Sequence, residues 1–361
     1  MKILVTGNQG YIGTTLTRLL LEKGYEVLGF DADYYNGCGF VEEDKFSSPA
    51  SLSLRENSLS EFSPAIKQIK KDIRNISKDD LEGVEALIHL AALSNDPLSV
   101  FVPQLTNEIN FRATVRMANL SKEMGIKRFL YASSCSMYGI AGKEAMMENS
   151  PLAPITAYAI SKTDSERELT KMADDNFSPV FLRPGTAYGV SPMLRCDLVV
   201  NNLTGWAFTT GKIKIMSDGT PWRPIIHVED FCRGFIACLE APIELVHNQA
   251  FNLSQSSENY QIKDIADAIK EIIPGSVVEY TGEHGADSRT YRVNFDKIST
   301  VLKDFFKPTW NLKEGVKQLY EAFKSHNLTL EEFTGNKYVR INQLKKLISE
   351  KKLDDNLYWT N

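Results

Sequence analysis

The first half of the chain alternates short apolar runs with stretches whose apolar residues recur every three or four positions. Ile3-Leu4-Val5 is an apolar run of strand length. Ile12, Leu16, Leu19 and Leu20 then mark one face of a helix that Gly24 ends. Glu26 to Phe30 predicts a second strand, Ala65 to Lys71 a third, and Val84 to Leu90 a fourth. Leu105, Ile109, Ala113, Met117, Leu120 and Met124 stripe a further helix, with Gly125 as its stop. Phe129 to Ser133 predicts a strand, Ala157 to Ala173 a helix, and Val180 to Arg183 another strand. Repeated strand–helix–strand units predict a doubly wound parallel sheet with helices on both faces. The stretch from Asp31 to about Phe62 has no period and a Ser-rich middle, Ser47 to Ser60, and predicts a long loop, disordered or lid-like.

After Gly189 the pattern loosens. Helices and short strands mix, as in Ala250 to Leu253, Gln261 to Ile272 and Tyr291 to Phe295. The expected organisation is a first domain over 1–188 with a return segment near 222–242. A smaller interleaved lobe covers 189–325, and 326–361 form a charged, helical tail without a motif.

Composition narrows the classes. With 43% apolar and 24% charged residues the chain is globular rather than disordered. Its net charge is −5 and no basic run stands out, which argues against nucleic-acid binding. No run approaches the roughly 18 apolar residues that span a bilayer. The N-terminus lacks the apolar length of a signal peptide. The five cysteines include no CxxC pair, so free thiols in a reducing cytoplasm are expected. No metal-ligand cluster is visible.

Candidate chemistry begins at Thr6-Gly7-Asn8-Gln9-Gly10-Tyr11-Ile12-Gly13, between the first strand and first helix. Gly7, Gly10 and Gly13 are spaced for a tight turn that lets a diphosphate approach a helix N-terminus, with Gln9, Tyr11 and Ile12 completing the turn. Asp31 ends the second strand, 18 residues after Gly13. An acidic residue there accepts the adenosine ribose hydroxyls and repels a 2′-phosphate, which favours NAD over NADP. Asp33 competes for that role. Asp72, followed by Ile73, lies after the third strand and is a candidate for the adenine amino group. Leu90, Ala91 and Ala92 close the fourth strand, where small residues let a cofactor lie against the sheet edge. The fold class expected is therefore α/β, a Rossmann-type doubly wound parallel sheet with a smaller mixed α/β substrate lobe.

Tyr158 and Lys162 are four residues apart on one helix face. A phenol with a pKa of roughly 10 is a poor base at neutral pH unless nearby positive charge stabilises the phenolate. Lys162 and a bound nicotinamide provide it. Ser134, 24 residues before Tyr158, follows a strand, and its hydroxyl is placed to hold a reacting oxygen.

This ordered set resembles the extended short-chain dehydrogenase/reductase superfamily, specifically its NAD-dependent epimerase/dehydratase family, from residue 1 to about 300. The matching stretches are TGNQGYIG, KDIRN, HLAA, NEINFRAT, YASSCSMYG, AYAISK, LRPGTAYG, RPIIHVED and DSRTY. The resemblance implies that Ser134, Tyr158 and Lys162 are catalytic, that Lys162 also holds the nicotinamide ribose, and that Asn110 sits beside them. It implies a nucleotide-diphosphate sugar as partner, with Arg223 and Arg289 on its diphosphate, a role suited to the guanidinium fork. Ser94, Ser136 and Thr186 are candidates to face the sugar, and Arg195 has no assigned role. It also implies a homodimer through helices matching 105–124 and 158–173. The chain departs from the family at Thr186, where Asn is frequent, at His284, where Arg is frequent, and in its long insertion after Asp31.

The reaction these features predict is NAD-dependent epimerisation of a nucleotide sugar through a transient keto-sugar, most simply at C4. Related 4,6-dehydratases carry an Asp-Glu pair directly after the Ser/Thr position. Here Cys135 and Ser136 stand there. Net-redox dehydrogenation or ketoreduction, dehydration with acid and base supplied by Glu144 or Glu148, and a non-catalytic NAD-sensing module are the alternatives.

Overall fold

The computed structural model describes residues 1–40, 66–94, 96–140, 144–281 and 290–360. Most of the expected lid-like loop, the Ser-rich middle included, lies outside the described residues, as do Asn95, His284 and Arg289. In chain order the structure opens with β1 (Lys2–Thr6), α1 (Tyr11–Glu22), β2 (Glu26–Asp31), β3 (Ile66–Lys70) and β4 (Ala86–His89). Then follow α2 (Ala113–Glu123), β5 (Arg128–Ala132), α3 (Ala157–Met172), β6 (Ser178–Pro184), β7 (Thr186–Tyr188), α4 (Val199–Thr210) and β8 (Lys212–Ile215). The rest comprises β9 (Trp222–His227), α5 (Val228–Glu240), β10 (Ala250–Leu253), β11 (Asn259–Gln261), α6 (Ile262–Ile272), β12 (Val277–Tyr280), α7 (Leu312–His326) and α8 (Arg340–Ser349).

Seven parallel strands form the main sheet in the order β10-β6-β5-β4-β1-β2-β3. Its central strands are apolar because helices cover both faces. On one face Ile3, Val5, Ile88 and Leu130 pack with Leu16 and Leu20 of α1 and Phe231 and Phe235 of α5. On the other, Leu4, Leu28, Leu87 and Phe129 pack with Met117 of α2 and Leu169 of α3. The strand order reverses between β1 and β4, and in such sheets ligands bind beyond the carboxyl ends of the strands at that point.

The smaller lobe has a core of its own, including Val200 and Leu203 of α4, Ile265 and Ile269 of α6, and Val316 and Leu319 of α7. Two small sheets belong to this part of the chain, β11-β9-β7 and β12-β8.

Two differences from the sequence reading have clear causes. The chain returns to the main sheet a second time, because β10 pairs with β6 as its edge strand. Residues 291–295 form no strand and contribute only an isolated bridge between Met146 and Val293. Short apolar runs carry no mark of which sheet they join.

The C-terminal segment folds back. Leu344 and Leu347 of α8, with Leu353 and Leu357, are buried beside Leu28 and Phe30 of β2. No described helix is long and apolar enough to cross a membrane. The five cysteines are free and buried.

Candidate active site

The glycine turn follows β1. Gly7 has φ +72°, and a Cβ there would sit 2.8 Å from the Ala91 nitrogen, while one on Gly13 would collide with the Gly7 carbonyl. Both glycines are needed to bring α1 against the sheet edge. Gly10 differs: a Cβ there would meet only the Gly7 oxygen, at 3.2 Å, so its bare side is open. Gly10 caps α1 without a side-chain hydrogen bond, and the first turn holds no acidic residue. The first N–H groups of α1 are thus left without a side-chain acceptor beside an open glycine, which fits a diphosphate. The side chains of Tyr11 and Ile12 are engaged elsewhere. The Tyr11 hydroxyl donates to the Gly189 carbonyl at 2.7 Å, and Ile12 packs on the core.

The structure separates Asp31 from Asp33. Asp31 accepts from the Gln9 N–H at 3.1 Å and the Asp33 N–H at 2.8 Å, which ties the end of β2 to the glycine turn. Burial pushes its carboxyl up, and those two N–H groups pull it back. Asp33 is spent on Lys70 at 3.0 Å and on the Asn36 amide. We therefore expect NAD to bind about tenfold or more tightly than NADP, since a 2′-phosphate would face the Asp31 carboxylate. Calorimetry on cofactor-free protein checks this, and equal affinities would refute it.

Asp72 is engaged within the chain. One of its oxygens accepts from the Arg74 backbone N–H and Nε, the other from Arg74 Nη2 and the Tyr34 hydroxyl, at 2.7 to 3.0 Å. These contacts fill the acceptor positions of a carboxylate. Asp72 thereby holds Arg74, whose guanidinium lies 3.8 Å from the Tyr358 ring centroid. The neighbouring Ile73 is buried, while Leu90, Ala91 and Ala92 are half-buried along the cleft edge.

β5 and α3 bring the proposed catalytic groups together. Ser134, just past β5, caps the short turn Cys135–Tyr138 by accepting from the Ser136 N–H at 3.1 Å. Tyr158 is the second residue of α3, half-buried, with Lys162 one turn further. The Lys162 ammonium is buried. It donates to the Ala132 carbonyl at 2.6 Å and lies 4.7 Å from the Tyr131 ring centroid and 5.7 Å from that of Tyr158. Burial drives its pKa down to about 7, against the opposing pull of Glu166. Glu166, four residues on, is itself locked to Arg183 of β6 by a bidentate pair at 2.5 and 2.9 Å.

Asn110 is buried in a π-helical turn, Glu108–Arg112, rather than exposed on a helix surface. Its amide exchanges hydrogen bonds with the backbone of Leu93 at 2.8 and 3.1 Å and donates to Ser161 at 3.3 Å. It therefore pins the loop after β4 to the helix that carries Tyr158. His89 bridges Thr6 and Thr114 at 2.7 Å each, and burial followed by the Lys162 charge keeps its imidazole neutral.

The substrate candidates divide. Ser136 is buried and its hydroxyl has no hydrogen-bond partner among the described residues, so it retains a group to offer. Thr186 lies on β7, paired with Ile225 of β9, and Arg223 sits two residues earlier on β9. Arg223 is buried and one of its guanidinium nitrogens donates to the Trp222 carbonyl at 2.9 Å. Ser94 accepts from Arg195 at 3.0 Å. Glu166 and Arg195 are buried charges that the sequence reading left without a role. Glu166 had a usable signal in its i+4 spacing from Lys162.

The sequence pattern of the NAD dependent epimerase/dehydratase family matches residues 3–254, and the chain belongs to that family. It is 26% identical to a UDP-glucose 4-epimerase of Bacillus subtilis over 88% of its own length and 94% of that protein. It is 27% identical to a UDP-glucuronate 4-epimerase of Thermodesulfobacterium geofontis, over 87% and 94% respectively. Among solved structures it resembles the UDP-glucuronic acid 4-epimerase of Bacillus cereus in complex with UDP-glucuronic acid and NAD. The TM-score is 0.73 at 26% identity, covering 90% of this chain and 99% of that one. The chain is thus an enzyme of this family, and its cofactor is NAD.

Proposed function

We propose that the enzyme epimerises a nucleotide-diphosphate sugar through a keto-sugar, most simply at C4. The observation that carries this reading is the end of β5. The Lys162 ammonium donates there to the Ala132 carbonyl, two residues before Ser134, and lies 5.7 Å from the Tyr158 ring centroid, and no carboxyl pair follows Ser134. Tyr158 takes the proton of the sugar hydroxyl, Ser134 holds that oxygen, and the Lys162 ammonium stabilises the phenolate. Bound NAD supplies the hydride acceptor and afterwards the donor. The keto-sugar turns over, and Tyr158 returns its proton to an alcohol of opposite configuration, so no net redox results.

Dehydration needs a further acid and base. The Cys135 thiol donates to the Arg183 carbonyl at 3.0 Å, and burial pushes its pKa well above the ordinary thiol value. It is no proton donor or acceptor for a sugar. A Glu148 carboxylate oxygen is engaged by the Asn252 N–H at 2.8 Å, and Glu144 is exposed. The small, unpartnered Ser136 leaves room beside the sugar. Proton NMR of UDP-, dTDP-, GDP- and CDP-sugars incubated with the enzyme tests the reading. A C4 epimer is the expected product. A new methyl doublet from a 4-keto-6-deoxy sugar, or NADH accumulating with a keto-sugar, would refute it.

In this reading Arg223, buried on β9, binds the substrate diphosphate. Arg223→Ala is expected to weaken sugar-nucleotide binding about tenfold or more and leave NAD affinity unchanged. Titration of both ligands checks this, and unchanged substrate affinity would return Arg223 to a structural role.

A further inference from the structure

Glu166 of α3 and Arg183 of β6 are 6% and 5% exposed, and their ion pair is one link in a longer chain of buried polar groups. Arg183 Nε and Nη2 grip the Glu166 carboxylate at 2.9 and 2.5 Å. Its Nη1 donates to the Tyr138 hydroxyl at 3.1 Å and to the Glu148 carbonyl at 2.9 Å. The Tyr138 hydroxyl in turn donates to Asn252 Oδ1 at 2.6 Å. Asn252 Nδ2 donates to the Asn294 carbonyl at 3.1 Å, and the Asn252 N–H to the Glu148 carboxylate at 2.8 Å. Asn252 lies on β10, in register with Arg183 of β6. The second return of the chain to the main sheet therefore supplies a member of this network.

The two ends of the network meet the proposed catalytic groups. Glu166 lies one turn after Lys162, so the Arg183 guanidinium fixes that part of α3 against β6. At the other end, Tyr138 closes the short turn that Ser134 caps. The Cys135 thiol of the same turn donates to the Arg183 carbonyl at 3.0 Å. Arg183 thus holds the Ser134 turn through its backbone and its side chain together. Stability alone is a weak reason for a buried ion pair, since apolar residues of similar volume often serve as well. A buried polar network whose members are all hydrogen-bonded fixes one geometry. Here that geometry is the placement of Ser134 relative to Tyr158 and Lys162, and a displacement of about 1 Å in such a site costs about 10²-fold in rate.

We propose that Tyr138, Arg183, Glu166 and Asn252 are positioning residues, a buried strut that holds the Ser134 turn in register with the face of α3 that carries Tyr158 and Lys162. They act through those elements and not on the reacting atoms. This rests on the assignment of Ser134, Tyr158 and Lys162 made above.

The test uses the full-length enzyme with NAD bound and the member of the UDP-, dTDP-, GDP- and CDP-sugar panel that it turns over fastest. Tyr138→Phe, which deletes one buried hydroxyl, is expected to lower kcat about tenfold and to leave KM and NAD affinity within about twofold of wild type. Glu166→Gln, which keeps the shape but releases the guanidinium, should lower kcat about tenfold to a hundredfold with the same split. Glu166→Asp should recover part of that loss. The double variant should lose little more than Glu166→Gln alone, because one strut is broken once. Wild-type kcat in the single variants, with only the melting temperature lowered, would overturn the proposal, and so would losses that fall on KM instead. Additive losses in the double variant would also overturn it, because the residues would then not act as a unit. If Glu166→Gln does not fold, Tyr138→Phe carries the comparison, and a wild-type kcat there overturns the proposal. Tyr158→Phe is assayed alongside. Wild-type turnover in that variant, or a wild-type enzyme that turns over no sugar of the panel, would instead refute the catalytic assignment, and the proposal with it.

Discussion

Tyr158→Phe is expected to lower turnover about 10²–10⁴-fold while leaving NAD and sugar-nucleotide affinities close to wild type. The substitution deletes one oxygen from a half-buried ring on α3 and leaves the ring's packing in place. Only the proton transfer is removed. Single-turnover kinetics and calorimetric titration of both ligands separate the two quantities. Wild-type-like turnover would refute the assignment of Tyr158. Loss of binding together with turnover would mean that the hydroxyl positions ligands rather than moving a proton.

Lys162→Met should abolish activity and, in the same variant, change how stability depends on pH. The folded-state pKa of Lys162 is about 7 because burial disfavours the ammonium. The unfolded value is roughly 10.4. The folded pKa is the lower one, so between pH 7 and 10 the unfolded chain binds more protons than the folded one. Stability from this group therefore rises with pH across that window, and the cost of the buried ammonium is greatest below pH 7. Methionine cannot titrate. From pH 6.5 to 9.5 the wild type is expected to gain about 3 kcal/mol relative to the variant. Urea unfolding of cofactor-free protein at the two pH values measures it. Parallel pH profiles would show that the ammonium is not desolvated as the geometry requires. An active Lys162→Met would remove the lysine from the catalytic set.

The proposed pair Tyr158 and Lys162 and the glycine turn were legible because each is set by local geometry. Tyr158 and Lys162 lie one helical turn apart, and the glycine turn joins consecutive elements. Asp31 could be placed because a strand end is a local feature, yet its distinction from Asp33 needed Lys70, which comes from a different strand. The surroundings of Asp72 were hidden for the same reason. Its partner Arg74 was two residues away in plain view, but the stacking of Arg74 on Tyr358 joins the carboxylate to the far end of the chain.

The sequence by itself determined the fold class, the glycine turn between β1 and α1 and the one-turn spacing of Tyr158 and Lys162, since periodicity, glycine spacing and i+4 placement are short-range constraints on the backbone. Tertiary structure alone decided what the long-range pairs do. It made β10 the edge of the main sheet, buried Asn110 between the β4 loop and α3, and set the Lys162 ammonium on the Ala132 carbonyl. It also packed a tail without a motif against the loop that follows Asp31, where Trp359 Nε1 donates to the Ala32 carbonyl and Arg340 lies over the Tyr35 ring. A buried charge acquires its energy and its role from whatever packs around it, and those neighbours come from distant parts of the chain.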